Sequence, residues 1–136
     1  MPYIKKEDRE RLAPGGHWNG SAIKTAGELN YLITILVLQN SWRTVDDLTD
    51  AIGTRIHSLF DTTEKKYQNH NDIIGAVVGA LFEFRRRFRA THPRQEDLYR
   101  ASNMALEKFY FDVTAPYEDL KIVENGDVVT TEEIKP

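Results

Sequence analysis

Cysteine is absent from the 136-residue chain, which excludes a disulfide scaffold, a thiolate-held zinc or iron–sulfur centre and a cysteine nucleophile. The same absence suits a reducing compartment and carries the expectation of a cytoplasmic protein. Long apolar runs are lacking too. The longest, Tyr31 to Leu38 interrupted by Thr34, falls far short of the ~20 residues that span a bilayer, and the first residues hold no signal-peptide core. No membrane partner is therefore expected. The four histidines, His17, His57, His70 and His92, show no i, i+4 metal spacing. None of Ser21, Ser41, Ser58 and Ser102 sits in a nucleophile elbow. The glycine-rich stretch Gly15-Gly16 to Gly20 lacks the Lys-Ser/Thr ending of a P-loop and follows no strand. No catalytic residue, resident metal or cofactor is assigned.

What is present suffices for one compact core. A 15.7 kDa chain with 40% hydrophobic residues fits a single domain over residues 1–136 and buries roughly two thirds of its unfolded surface. Within it, residues 1–23 read as an N-terminal arm and loop, 24–116 as a helical core and 117–136 as an acidic hairpin or tail. Pro14-Gly15-Gly16-His17-Trp18-Asn19-Gly20-Ser21 is loop chemistry. Trp18 is then either a lid packed over the core or an exposed binding aromatic.

Thr25-Ala26-Gly27-Glu28 is a capping box that opens the first strong helix, with Leu29, Leu32, Ile33, Leu36 and Val37 on one face and Tyr31, Ile35 and Leu38 on the other. A helix apolar nearly all round belongs at the centre or at a subunit interface. Thr44-Val45-Asp46-Asp47 opens a second, amphipathic helix with Val45, Leu48, Ile52, Ile56 and Leu59 inward, and residues 61–71 read as a polar connection. A third helix is predicted from an Asn71 cap to about Ala90. Its Gly75, Ala76, Gly79 and Ala80 make a smooth face suited to close approach by the first helix, by a second subunit or by a ligand. A fourth begins near Pro93, buries Leu98, Ala101, Ala105, Leu106, Phe109 and Val113, and ends before Pro116. Asn125-Gly126 between two β-prone runs predicts a terminal hairpin. The expected fold is mainly α, a bundle of about four helices with a short C-terminal β-hairpin, self-associating through the first or third helix.

The net charge of −3 hides a polarised layout: Glu83–Arg94 carries +4 and residues 117–136 carry −4. Arginine forks bind phosphate and carboxylate and stack on aromatics, so Arg85, Arg86, Arg87 and Arg89, with Trp18 as a cover, are the candidate ligand-binding residues. Intramolecular pairing with the acidic tail and cation placement at a helix end are the competing explanations. Net acidity and the lack of a recognition motif point away from nucleic acid. A divalent-metal nucleotide hydrolase is the enzymatic alternative, with Glu28, Asp46, Asp47, Asp50, Asp72 and Glu83 as carboxylates, although capping already occupies Glu28, Asp47 and Asp72.

Four segments resemble a family of small uncharacterised proteins of phages and prokaryotes: Met1-Pro2-Tyr3-Ile4-Lys5-Lys6-Glu7-Asp8-Arg9, Thr25 to Thr34, Asn71 to Gly75, and Ala115-Pro116-Tyr117-Glu118-Asp119 with Glu124 to Val128. The resemblance covers about half the chain and brings no activity with it; extra length around Arg85 to Met104 departs from it. A phage setting implies a non-enzymatic, oligomeric anti-defence protein that sequesters a small nucleotide-like anion or a host protein. A structural or assembly protein is the third possibility.

Overall fold

The computed structural model describes residues 4–39, 42–62, 67–88, 93–127 and 129. It contains α1 (Lys6–Leu12), a 3-10 turn (Pro14–Gly16), α2 (Ala26–Gln39), α3 (Val45–Thr62), α4 (Tyr67–Phe88), α5 (Gln95–Phe109), a π turn (Tyr110–Thr114) and α6 (Ala115–Asn125). No strand occurs among the described residues. No helix among them is long and apolar enough to cross a membrane.

Both capping signals act as their chemistry predicts. Thr25 Oγ1 accepts from the Glu28 N–H at 3.1 Å and Thr44 Oγ1 from the Asp47 N–H at 3.0 Å. The reciprocal bond of the first box moves back one residue, with Glu28 Oε1 accepting from the Lys24 N–H at 3.0 Å. That carboxylate also accepts from Arg11 Nη2 at 2.8 Å, and Arg11 Nη1 donates to Ala22 O at 3.0 Å. Glu28 therefore fastens α1 to the start of α2. Glu7 and Asp8 in the first turn of α1 and Arg9 and Arg11 in the last suit its dipole, and Leu12 is fully buried; part of the expected arm is thus helix.

Helix α2 is central. Leu29, Leu32, Ile33, Leu36 and Val37 are buried, and Tyr31, Ile35 and Leu38 pack half-buried against the same core. Its broadest packing is against α4. A Cβ on Gly79 would lie 2.9 Å from Asn30 Nδ2, and that amide donates to Ala76 O at 2.9 Å. At Ala76 and Gly79 the small-residue face of α4 is thereby taken up by α2 within one chain, while Gly75 stays exposed. Helix α4 also begins earlier than its expected Asn71 cap. His70, only 1% exposed, occupies a core position one turn before the buried Ile73 and Val77, so a polar residue type concealed the first turn of the apolar stripe.

Helix α5 runs antiparallel to α4, since Tyr99 lies by Arg85 and Phe109 lies by His70. It does not end before Pro116. The chain passes through the π turn, where the Ala115 N–H reaches Tyr110 O, and continues as α6 with Pro116 in the first turn. Proline lacks an N–H and crowds the carbonyl four residues back; widening that turn relieves both problems without stopping the helix.

The predicted hairpin is corrected here. Lys121 to Asn125, its expected first strand, is helical, and Gly126 caps the helix with φ +81° while its N–H donates to Ile122 O at 2.8 Å. Asn-Gly supplies the positive φ that a hairpin turn requires, and a helix C-terminus uses the same property. Of the expected second strand, residues 128 and 130–136 lie outside the described residues.

Candidate functional site

The arginines on the last turns of α4 do not act as one cluster. Glu83, 7% exposed, accepts from Arg86 Nε at 3.2 Å and from Arg86 Nη2, and from Arg87 Nε at 2.9 Å. The Arg86 hydrogen bonds hold the Glu83 carboxyl below the usual carboxylate range against the opposing effect of burial. Arg85 turns toward α5, its guanidinium carbon 5.7 Å from the Tyr99 ring centroid. Arg89 lies outside the described residues. Arg94 clamps the α2–α3 connection: it stacks on Trp42 and donates to Trp42 O at 3.0 Å and to Arg43 O at 3.3 Å.

The acidic segment is at the other end of the molecule. Tyr117 of α6 stacks on His70 at 5.0 Å, and His70 precedes Arg86 by sixteen residues of α4, a separation of about 24 Å along the helix axis. Among the described residues no ion pair joins α6 to the arginines; Lys121 of α6 instead pairs with Glu124 at 3.1 Å.

Trp18 is in a third place. Its indole N–H donates to Ser21 O at 3.0 Å, its half-buried ring packs on the core, and the Arg55 guanidinium carbon lies 4.8 Å from its centroid. Burial pushes the Arg55 pKa down to about 10, which still leaves a cation at neutral pH. Ring and guanidinium form a cation–π pair that fixes the loop on α3.

Trp18 borders a feature that the sequence reading did not single out. The seam between α3 and α5 opens into two adjoining hollows of about 580 and 550 Å³ that share Thr49, Asp50 and Lys108. On α3, Asp46, Asp50, Gly53, His57 and Asp61 recur at helical spacing and line them. On α5 and the π turn, Met104, Glu107, Lys108 and Phe111 form the facing stripe. The detectable signal was this second stripe, Met104, Lys108 and Phe111 at i, i+4 and i+7, beside the buried one. It mixes apolar with charged types, so it reads as surface until two such stripes are seen to face each other. Phe111, at the π turn, is 64% exposed.

The other carboxylate candidates are dispersed. Glu28 is held by Arg11 and the Lys24 N–H, Asp72 accepts from Gln68 Nε2 at 2.8 Å, and Glu83 holds its two arginines. Among the described residues no three His, Asp or Glu side chains gather as a metal-ligand set. Ser58 Oγ accepts from the Ile23 N–H at 3.1 Å and serves the backbone.

Residues 1–99 match a family model described as a domain of unknown function, DUF6899. The chain belongs to the DUF6899 family. No curated protein and no solved structure matches it. The DUF6899 match takes in α1 to α4 and the start of α5. It therefore includes Trp18, the α3 wall of the groove and Arg85 to Arg87, and it stops before Met104, Lys108, Phe111 and α6. The closing Ala115 to Val128 segment lies beyond the DUF6899 match.

Proposed function

We propose that this protein is a non-enzymatic binding protein that takes a basic, amphipathic segment of a protein partner into the α3–α5 groove. One observation carries this reading: Asp46, Asp50, Asp61 and Glu107 rim a groove whose apolar contacts come from Trp18, Met104 and Phe111, with Lys108 as the lining base. Carboxylates around apolar side chains suit lysines and arginines flanking a hydrophobic stripe, the helix-in-groove mode of recognition. The same rim repels a nucleotide, and Glu83 already occupies two of the arginines expected to bind one. In the phage setting that the resemblance implies, the partner is a host protein, and its capture is the anti-defence role.

Titration with designed helical peptides tests the proposal. Trp42 is buried and Trp18 borders the groove, so Trp18 fluorescence reports occupancy. A basic amphipathic peptide is expected to shift that signal and the amide resonances of Asp50, Lys108 and Phe111. Its acidic counterpart should do neither, and Asp50→Lys with Glu107→Lys should weaken binding at least about tenfold. Equal response to both peptides, or binding untouched by the reversals, overturns it.

A further inference from the structure

Among the described residues two surfaces remain without a cover, and they are chemically matched. At the arginine end of α4, Phe82 is 56% exposed and shares a helix face with Arg85 and Arg86. At the opposite end, α6 buries none of its residues; Val123 is 82% exposed, and Leu120 and Ile122 are also exposed. Glu118, Asp119, Glu124 and Asp127 accompany them, against the single Lys121.

These surfaces cannot meet within one chain. Helix α5 begins beside Arg85 and ends beside His70, and α6 follows through the π turn at that far end, with Tyr117 on His70. Along α4 the Tyr117–His70 contact is about 18 Å from Phe82 and about 24 Å from Arg86, so the two surfaces lie at opposite ends of that helix. We infer that a second copy of the chain covers them: the apolar, acidic face of α6 in one copy packs on the Phe82–Arg85–Arg86 surface of the other, in an antiparallel two-fold dimer that makes this contact twice.

A second copy suits the arginine surface better than a small anion does. The C-terminal end of a helix carries partial negative charge, and an exposed phenylalanine beside the arginines offers area that phosphates do not use. Two-fold pairing closes the assembly, whereas a single head-to-tail contact would propagate into a chain. The routes expected from sequence offer less surface, because α2 keeps only Tyr31, Ile35 and Leu38 half-buried among its large apolar residues and α2 takes up the α4 face at Ala76 and Gly79.

Sedimentation velocity on the full chain, from low to several hundred micromolar, tests this. The wild type is expected to form a two-copy species that weakens in high salt. Val123→Asp, at an exposed position that leaves the core intact, should be monomeric with unchanged helical circular dichroism. Arg85→Glu, which leaves both Glu83 ion pairs in place, and Asp119→Lys/Glu124→Lys should each be monomeric alone, yet form a 1:1 dimer on mixing, since reversal at both poles restores both contacts. A wild type that stays monomeric throughout overturns the inference. So does a Val123→Asp or Arg85→Glu variant that dimerises like the wild type, or failure of the two charge-reversed proteins to pair.

Discussion

The α2–α4 half of the bundle and the arm formed by the π turn and α6 use similar apolar residue types to opposite ends. In α2, Leu29, Leu32, Ile33 and Leu36 are enclosed, Ile35 and Leu38 pack half-buried against the same core, and an asparagine amide fills the close approach to α4. In α6, Leu120, Ile122 and Val123 face outward, and the helix is tied to the body chiefly through the π turn and the Tyr117–His70 stack. Enclosure is thus decided by what lies opposite a stripe, and hydrophobicity alone does not reveal it. The family match over residues 1–99 takes in the closed α2–α4 packing together with Trp18, the α3 wall of the groove and the Phe82–Arg85–Arg86 surface, whereas the α5 wall of the groove and α6 come after it.

The largest effect expected from this contrast is in the core. Leu32→Ala, at a fully buried α2 position, should cost about 2–5 kcal/mol in urea unfolding. Val123→Ala, measured at concentrations where the chain is monomeric, should stay within about 0.5 kcal/mol. Comparable losses at the two positions would break the comparison. Next in size is Glu28→Ala, which removes the acceptor for Arg11 and for the Lys24 N–H and should cost about 1–3 kcal/mol. Glu107→Ala on the exposed groove rim should be close to neutral in the same assay.

The junction between the two regions should respond to pH. His70 Nδ1 is hydrogen-bonded to Thr114 Oγ1 at 2.8 Å, Nε2 is buried with no partner among the described residues, and Phe60, Phe109 and Tyr117 surround the ring. Burial lowers its pKa, with Glu118 opposing. The native state then binds fewer protons than the unfolded chain. The His70 contribution is complete above the ordinary histidine pKa of about 6.5 and is lost as pH falls below it toward the lower native value. The urea midpoint should drop between about pH 7 and pH 5, and His70→Phe should flatten that drop. Glu83 acts in a separate window: its lowered pKa gives stability above the ordinary carboxylate range that disappears only at more acid pH. Amide exchange in α6 should accelerate before exchange in α2 as His70 is protonated.

Much of the bundle was legible because local chemistry and burial agreed. Thr25 and Thr44 announced two helix starts, and the i, i+3, i+4 leucines and isoleucines of α2 and α3 identified the core faces. Three features were hidden for separate physical reasons. His70 is a titratable residue in a core position, so it reads as surface. Pro116 signals a helix end, but a π turn accommodates it. Asn125-Gly126 supplies a positive φ that serves a helix cap as well as a hairpin. The candidate site was less legible than the fold, because a run of arginines in sequence points in several directions around a helix. Glu83, three and four residues before Arg86 and Arg87, was the cue to their pairing. The groove depended on two helices distant in sequence facing each other.

The smallest expected effects sharpen the comparison within a single helix. Gly75 and Gly79 lie one turn apart on α4, and both have helical neighbours, so propensity alone predicts that alanine stabilises each by up to about 1 kcal/mol. Their surroundings differ. A Cβ at Gly75 meets nothing within 4 Å, whereas one at Gly79 lies 2.9 Å from the Asn30 amide nitrogen. Gly75→Ala should therefore raise stability by about 0.5–1 kcal/mol. Gly79→Ala displaces the amide from Ala76 O, and losing that half-buried bond offsets or exceeds the propensity gain, for a net loss of about 1 kcal/mol. Asn30→Ala removes the obstacle and the bond together, so Gly79→Ala in that background should change sign and become stabilising. A double-mutant cycle in urea reads this coupling directly. If Gly79→Ala stabilises as much as Gly75→Ala in the wild-type background, the close approach of α2 does not set the small-residue face of α4.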